Sequence, residues 1–246
     1  DRVKKVEDPR AFAAVLHEDG IVKGLVEKPK EIISSLANIG AYFLDTSIFN
    51  IPLEISPRGE YEITDFVIHI AKNQVMYYSI AKNWFPGSYP WHLLEVNRFL
   101  LSQKESRVEG NVEEGCDITG PVVIEKDAFI KKGTTIRGPA FIGRYAKIGP
   151  GARIGRFSSI GDDCRIKKGV EIKDSIIGEN TTIDHSCYIA HSIIGQNCYI
   201  GPETGTSEPL FDYNVKVVIK GKEIDTKTKE FGCVLGDDAR VEGNVK

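Results

Sequence analysis

A six-residue repeat of isoleucine in the second half of the chain restricts the possible folds more than any other feature of the sequence. Isoleucine fills ten consecutive positions of one series spaced six residues apart. Neither an α-helix nor an ordinary alternating strand has this period. A period of six is typical of a parallel β-helix, in which short strands turn corners and stack coil upon coil. The ten positions are Ile118, Ile124, Ile130, Ile136, Ile142, Ile148, Ile154, Ile160, Ile166 and Ile172.

Small residues follow most of these isoleucines at a distance of four positions. We expect each isoleucine to fill the interior of a coil and each small residue to fit where the coil turns. The series slips by one residue at Ile177 and again at Ile194. Three of the five cysteines, Cys164, Cys187 and Cys198, occupy the small-residue position, and we interpret them as buried packing groups rather than metal ligands.

A polar insertion with several lysines interrupts the repeat at about residues 203–229, and the rhythm returns weakly near Val234 and Val241. Insertions in a solenoid lie on one face, which is often the functional face. The insertion lysines Lys216, Lys220 and Lys222 could bind coenzyme A phosphates, or they could belong to a solvated hairpin.

Glycine marks a boundary between two architectures, since only 5 of the 24 glycines lie in residues 1–107. The sequence predicts part of an α/β domain for residues 1–107 and the β-helix for residues 108–246. Asp19-Gly20 between two apolar runs predicts a hairpin. The expected elements of the first part are strands at 12–16, 21–26, 39–44 and 75–81, a short helix capped by Asp45 or Thr46, and helices at 61–72 and 90–102.

Charge and hydrophobicity exclude several classes of function. The formal net charge is -3, and neither part has the basic excess that nucleic-acid binding requires. No apolar run approaches the length needed to span a bilayer, and no signal peptide is recognisable, so we expect a cytoplasmic protein. The chain begins at Asp1, directly before a strand, and ends within the hexad rhythm, so we expect a fragment of a longer protein.

Short motifs in the first part, in their order along the chain, resemble those of the sugar-1-phosphate nucleotidylyltransferases. Followed by the hexad repeat, they resemble the archaeal-type bifunctional members that join nucleotide-sugar synthesis to amino-sugar N-acetylation. The resemblance implies a partial Rossmann-like nucleotidyltransferase domain followed by a left-handed β-helix of hexapeptide repeats. The motifs are Glu7-Asp8-Pro9, Glu27-Lys28-Pro29, Asn38-Ile39-Gly40, Gly59-Glu60-Tyr61 and Pro90-Trp91-His92.

The resemblance assigns sugar-hydroxyl binding to Glu27, sugar-phosphate binding to Lys28 and a sugar contact to Asn38. A sugar phosphate does need a polar acceptor for its hydroxyls and a fixed positive charge for its phosphate. Alternatively, Glu27 and Lys28 are turn residues held extended by Pro29, and an asparagine such as Asn38 is a common turn residue.

The nucleotidyl site of the family is incomplete in this chain. The glycine-rich loop that holds the nucleotide triphosphate and the first metal-binding aspartate are absent, and Pro86 stands where the second metal aspartate is expected. The resemblance implies Mg²⁺ for a complete site, but proline cannot bind it. We therefore expect no nucleotidyl transfer from this chain and identify no metal ligands.

The β-helix carries a second motif, His185 followed at three residues by Tyr188, which resembles the His-x-x-Tyr segment of amino-sugar N-acetyltransferases. There the histidine is the general base, so the resemblance implies His185 as the catalytic residue, Tyr188 as a substrate contact and acetyl-coenzyme A as the cofactor. N-acetylation needs a base because an ammonium group is not nucleophilic. The alternative is that His185 is simply an outward-facing coil residue.

Several positions depart from the family pattern. The two substrate-contacting asparagines of the family fall at Tyr199 and Glu208, and His191, to which we assign no role, stands where aspartate is common. Two hypotheses follow: an enzyme making activated sugars, or a binding and assembly subunit of the same family that has lost its chemistry. In both cases we expect a sugar phosphate ligand and a homotrimer formed along the β-helix.

Overall fold

A computed structural model of the chain describes residues 2–6, 9–52, 54–56, 59–206 and 213–246. These residues form two compact units, Asp1–Trp84 and Phe85–Lys246. The second unit contains the helix at residues 90–102 as well as the β-helix. The domain division after residue 107 stays a prediction.

The first unit is built on a mixed five-stranded sheet. The strands are β1 (Arg2–Lys5), β2 (Ala13–Glu18), β3 (Ile21–Glu27), β4 (Leu36–Ala41) and β5 (Ser79–Ile80), in the order β3-β2-β4-β1-β5. Helix α1 (Ile63–Asn73) contributes Val67 to a core with Val3, Val15 and Val22. Two short 3-10 helices lie at Pro9–Ala11 and Thr46–Asn50.

The predicted hairpin is confirmed, with Asp19 and Gly20 both at positive φ in the turn between β2 and β3. Asp45 caps the short helix that follows it, since its Oδ1 accepts a hydrogen bond of 2.9 Å from Ser47 N. Two strand ranges were wrong. β4 begins at Leu36 because Leu36 and Ala37 already pair with β1, and β5 is limited to the two residues that pair with β1.

Helix α2 (Pro90–Ser102) has the predicted bounds, with Pro90 in the first turn, where its missing N–H is not needed. Only part of its apolar side is buried. Trp91, Leu94 and Leu101 are buried, whereas Leu93 and Leu100 are 47% and 53% exposed. The buried stripe is therefore narrower than the apolar pattern suggests.

The β-helix is confirmed by three parallel sheets built from every third strand. In each sheet the hexad isoleucines stand in register on successive strands, as in Ile124, Ile142 and Ile160. These side chains are buried and form one continuous core. The strands of the second unit, in which β23 and β24 form a separate antiparallel hairpin, are β6 (Arg107–Val108), β7 (Asn111–Val112), β8 (Asp117–Thr119), β9 (Val122–Ile124), β10 (Phe129–Ile130), β11 (Thr135–Arg137), β12 (Ala140–Ile142), β13 (Lys147–Ile148), β14 (Arg153–Ile154), β15 (Ser158–Ile160), β16 (Arg165–Ile166), β17 (Glu171–Lys173), β18 (Ile176–Ile177), β19 (Thr182–Ile183), β20 (Tyr188–Ala190), β21 (Ile193–Ile194), β22 (Tyr199–Ile200), β23 (Lys216–Ile219), β24 (Lys222–Asp225), β25 (Val234–Leu235) and β26 (Arg240–Val241).

The three sheets can be named by their members. Face 1 contains β7, β10, β13, β16, β19, β22 and β26; face 2 contains β8, β11, β14, β17 and β20; and face 3 contains β6, β9, β12, β15, β18, β21 and β25. Each coil runs from face 1 to face 2 to face 3. A corner residue such as His185 therefore lies between β19 on face 1 and β20 on face 2.

The corners are packed as the sequence predicts. Cys164, Cys187 and Cys198 are buried, and burial raises the pKa of the Cys164 thiol to about 11. This protonated thiol is an inert packing group. Backbones of adjacent coils approach closely, since a Cβ atom on Gly178 would lie 2.5 Å from the carbonyl carbon of Gly195. Glycine is required there because no side chain fits.

The insertion contains the hairpin of β23 and β24, turned by Lys220 and Gly221, which both have positive φ. Residues 207–212, including Glu208, lie outside the described residues, as do Glu7 and Asp8. The coil resumes when β25 pairs with β21 and β26 pairs with β22, which confirms the predicted return of the rhythm. Within the described ranges, neither helix has the length and apolar character needed to cross a membrane.

Candidate functional site

Glu27 and Asn38 both lie on the sheet of the first unit. Glu27 ends β3 and Asn38 lies on β4, on either side of β2. The Asn38 side-chain amide donates a hydrogen bond to the Tyr42 hydroxyl oxygen, and its Oδ1 accepts one of 3.0 Å from Gly40 N. Burial raises the Tyr42 pKa, and the charge of Glu27 raises it further. The Asn38 amide therefore contacts the Tyr42 phenol, and the Glu27 carboxylate is near enough to influence that phenol.

Lys28 has an unusual backbone conformation beside this group. Its φ is 44°, a left-handed value that is uncommon for a residue other than glycine. Its N–H donates to Phe12 O at 3.0 Å, the next residue Pro29 is buried, and the Lys28 side chain is exposed. Lys28 is therefore not held extended by Pro29, contrary to the alternative expectation. A turn role and an accessible charge for a phosphate are both compatible with this position.

His185 lies in the corner between β19 and β20, where its side chain is exposed. Its N–H donates to Asp184 Oδ1 at 2.7 Å, and its carbonyl oxygen accepts a 3.0 Å hydrogen bond from Glu203 N on the next coil. Ser186 has a φ of 59°, which turns the chain into β20. Tyr188 is the first residue of β20 and is half-buried. The corner therefore presents the imidazole outward, directly before the strand that carries Tyr188.

Asp184, immediately before His185, is buried and strongly bound. Its Oδ2 accepts hydrogen bonds from Lys167 Nζ at 2.8 Å and from the Tyr199 hydroxyl at 3.1 Å. Lys167 contributes most to lowering the Asp184 pKa to about 2, with help from the His185 N–H and the Tyr199 hydroxyl. Asp184 is thus a permanent anion at neutral pH. No local sequence pattern indicated this group, because Lys167 and Tyr199 lie 17 and 15 residues from Asp184 along the chain.

A cavity of about 900 Å³ opens on the outer side of face 2, over β11, β14 and β17. It lies next to the strand that carries Tyr188, since Tyr188 pairs with Glu171 of β17. The lining contains six basic residues and only three carboxylates. The basic residues are Arg98, Arg137, Arg153, Arg156, Lys173 and Lys229, and the carboxylates are Glu171, Asp174 and Glu230.

Two of these carboxylates are already partnered by lining arginines. Arg98 Nε donates hydrogen bonds to both carboxylate oxygens of Asp174, and Arg153 Nη1 lies 3.7 Å from Glu171 Oε2. Arg156 instead stands over the Phe157 ring, 5.4 Å from its centroid. The excess of positive charge in a concave site favours an anionic ligand such as a phosphate.

His191 forms part of the cavity lining, although sequence reasoning assigned it no role. It is 3% exposed, with Nδ1 2.9 Å from Asp174 Oδ2 and Nε2 3.5 Å from Glu230 Oε2. Burial alone would raise the Asp174 pKa, but hydrogen bonds from His191 and Arg98 outweigh it and hold that pKa below its usual range. His191 therefore connects its own coil to Asp174 on the preceding coil and to Glu230, which follows the insertion.

The insertion lysines show no clustered site. Lys216 Nζ binds Glu223 Oε1 at 2.7 Å across the exposed hairpin, as expected for a solvated hairpin. Across the described residues, no group of three or more His, Cys, Asp or Glu side chains could hold a metal ion.

Comparison with known proteins identifies the family. A model described as "Nucleotidyl transferase" matches residues 2–102, and one described as "GMPPB C-terminal domain" matches residues 136–246. The "Bifunctional protein GlmU" of Methanococcus maripaludis strain C7 is 44% identical over 246 residues, which cover 97% of this chain and 59% of the relative.

Two further relatives agree. The GlmU of Methanocaldococcus jannaschii is 36% identical over 97% of this chain and 59% of its own length. The "Bifunctional sugar-1-phosphate nucleotidylyltransferase/acetyltransferase" of Sulfurisphaera tokodaii is 35% identical over 98% of this chain and 62% of its own length.

The chain belongs to the sugar-1-phosphate nucleotidylyltransferase family with a C-terminal β-helix. This nucleotidylyltransferase-family chain spans about three fifths of the length of the curated relatives that it matches. These relatives are named as enzymes.

Proposed function

We propose that the β-helix transfers an acetyl group from acetyl-coenzyme A to the amine of an amino-sugar-1-phosphate. The observation that carries this proposal is the outward His185 corner directly before β20, the strand that pairs with β17 under the cationic cavity on face 2. The names of the relatives support both halves of the chemistry, because they include nucleotidylyltransferase and acetyltransferase activity.

In this proposal His185 is the general base. The substrate amine, bound as ammonium, gives a proton to the imidazole and becomes nucleophilic. Its nitrogen attacks the thioester carbonyl carbon, and the carbon–sulfur bond then breaks. The attacking nitrogen loses its second proton to solvent as the amide forms, and the leaving thiolate takes up the proton from the imidazolium. The products are therefore an N-acetyl amide, coenzyme A and one released proton. Tyr188 would orient the sugar beside His185.

The substrate phosphate would bind in the cavity. Lys173 and Arg156 are the groups we propose for this contact, because both line the cavity and Lys173 lies on the strand adjacent to β20. Fixed charges hold a phosphate and would thereby orient the amine, which is on the neighbouring sugar carbon, towards the corner.

In the first unit, Glu27, Lys28 and Asn38 would bind the sugar phosphate used in nucleotidyl transfer. The polar group formed by Glu27, Asn38 and Tyr42 supports the hydroxyl contacts. Mg²⁺ would neutralise phosphate charge in a complete site, but Pro86 cannot contribute a ligand, so no step of this chain is derived through the metal. We propose that the working assembly is a cytoplasmic homotrimer, since closed symmetry would cover equivalent faces of all β-helices.

The test is thiol release from acetyl-coenzyme A in the presence of glucosamine-1-phosphate or galactosamine-1-phosphate. His185→Ala should lose about 100-fold to 10,000-fold in rate, as expected for a general base. His69→Ala is the matched control, because His69 is also exposed but lies on α1 of the first unit. Equal rates for His185→Ala and the unmodified chain would reject His185 as the base.

A further inference from the structure

The Asp184 carboxylate joins three successive coils directly before the proposed base. Ile166, Ile183 and Ile200 stand in register on β16, β19 and β22. Lys167 and Asp184 each follow one of these isoleucines, and Tyr199 precedes the third. Lys167 thus reaches Asp184 from the coil before it, and Tyr199 reaches it from the coil after.

Both carboxylate oxygens are used, but for different purposes. Oδ2 is held by Lys167 Nζ at 2.8 Å and the Tyr199 hydroxyl at 3.1 Å. Oδ1 accepts the backbone N–H of His185 at 2.7 Å. Hydrogen bonds to an ionised carboxylate are shorter and stronger than neutral ones. The carboxylate is therefore fixed from two coils and in turn fixes the backbone of the next residue.

We infer that Asp184 is a positioning residue for the acetyl transfer, because it anchors the His185 backbone and thereby sets where the imidazole meets the substrate amine. This inference rests on the proposed function of His185. Lys167 and Tyr199 serve it by holding the carboxylate in one orientation.

Two other backbone hydrogen bonds restrain the corner, from Glu203 N to His185 O and from Ser186 N to Lys168 O, both of 3.0 Å, but neither involves the His185 N–H. The His185 side chain is exposed, and the following Ser186 has left-handed φ. A misplacement of about 1 Å of a reacting group can cost about 100-fold in rate. A charge-assisted hydrogen bond to the N–H of the base itself reduces that freedom more directly than packing of an exposed ring could.

A second corner aspartate provides a matched control. Asp162 Oδ1 accepts the backbone N–H of Arg144 at 2.8 Å, and its Oδ2 accepts from Arg144 Nε at 3.0 Å. This aspartate thus combines a basic partner with a backbone N–H, as Asp184 does. It lies at a different corner and anchors no residue of the proposed machinery, so Asp162→Ala reports the general cost of losing a corner aspartate.

The experiment combines kinetics with hydrogen exchange on the full chain and its variants. Acetyl transfer to glucosamine-1-phosphate is measured for Asp184→Ala, Asp184→Asn, Lys167→Met and Asp162→Ala. Asp184→Ala should lower kcat by about 10-fold to 100-fold with KM nearly unchanged. Asp184→Asn should recover part of the rate, since its amide oxygen can still accept the His185 N–H. The loss of kcat should be smaller in Lys167→Met than in Asp184→Ala, and Asp162→Ala should retain full kcat.

Amide hydrogen exchange, read by mass spectrometry on the peptide spanning residues 184–188, tests the same contact without activity. The His185 amide should exchange faster in Asp184→Ala than in the unmodified chain, and its exchange rate should be unchanged in Asp162→Ala. Unchanged kcat in Asp184→Ala, or an equal loss in Asp162→Ala, would overturn the inference. If the unmodified chain shows no acetyl transfer, the proposed function is rejected. Independently of activity, an unchanged exchange rate of the His185 amide in Asp184→Ala would reject the inference that Asp184 anchors the His185 backbone. If Asp184→Ala does not fold, Asp184→Asn and Lys167→Met decide by the same readouts.

Discussion

Nδ1 of the buried His191 lies 2.9 Å from Asp174 Oδ2, and Arg98 of helix α2 binds the same carboxylate. One carboxylate therefore connects a helix outside the solenoid to two of its corners. Glu230, 3.5 Å from His191 Nε2, extends the network to the end of the insertion. This network holds one wall of the cavity together.

We expect Asp174→Asn to destabilise the second unit. The change removes the charge that compensates Arg98 and leaves a buried polar group imperfectly satisfied, which costs about 1–3 kcal/mol. Because the Arg98 side chain is 34% exposed, the larger loss typical of a fully buried pair is not expected. Urea unfolding followed by circular dichroism measures the change. Asp117→Asn, which breaks an exposed pair with Arg137, should leave the midpoint almost unchanged; equal shifts for both variants would contradict the prediction.

The hexad core predicts a steep dependence of stability on isoleucine size. Ile148→Ala should lower the free energy of unfolding by about 2–5 kcal/mol and Ile148→Val by about 0.5–1.5 kcal/mol, because Ile148 is fully buried and a cavity would remain. Val218→Ala on the exposed hairpin is the control and should cost little. Thermal and urea unfolding give the three values. A small loss in Ile148→Ala would mean that the coils collapse around the missing side chain.

The sequence predicts the β-helix well because its period is local. Each coil repeats the same requirement, so isoleucine, small residue and glycine recur at fixed spacing, and Ile124, Ile142 and Ile160 align as expected. The mixed sheet of the first unit was harder to predict from sequence, because the range of β4 depends on its pairing with β1, which is distant in sequence.

The candidate site was predictable only in its motif residues. His185 and Tyr188 are three residues apart and recognisable, whereas Lys167, Asp184 and Tyr199 meet only when three coils stack. His191 gave no signal because its partners Asp174 and Glu230 come from another coil and from the insertion. Side-chain networks that join different coils depend on the register in which the coils stack, so a local sequence pattern does not predict them.

Acid should weaken the Asp184 anchor in a defined window. The folded-state pKa of Asp184 is about 2, below its ordinary value of 3.8, so its contribution to stability is present above the unfolded pKa and is lost as pH falls from about 4 towards 2. Asp184→Asn should therefore lose less stability over this window than the unmodified chain does. Unfolding free energies at several pH values between neutrality and pH 2 test this, with the exposed Asp238→Asn as the control. Identical pH dependence for Asp184→Asn and the unmodified chain would count against a stabilising ion pair with Lys167.

Removal of one cavity cation should weaken substrate binding more than chemistry. Arg156→Ala should raise KM for the amino-sugar phosphate by about 10-fold to 100-fold, the equivalent of one charge-assisted hydrogen bond, with a smaller effect on kcat. Arg144→Ala is the control, because Arg144 is paired with Asp162 and does not line the cavity. Steady-state kinetics at saturating acetyl-coenzyme A separate the two parameters. An unchanged KM in Arg156→Ala would place the phosphate elsewhere.

The first unit should bind sugar-1-phosphates through Lys28. Lys28→Ala should weaken glucose-1-phosphate binding in calorimetry by about 10-fold to 100-fold, because the phosphate would lose its charged partner. Lys30→Ala is the matched control, since Lys30 is an exposed lysine two residues further on. Asn38→Ala should also weaken binding, through loss of a sugar contact and of the hydrogen bond to Tyr42. Equal affinities for Lys28→Ala and Lys30→Ala would favour the turn interpretation of Glu27-Lys28-Pro29, in which Pro29 fixes the loop and the lysine charge has no ligand.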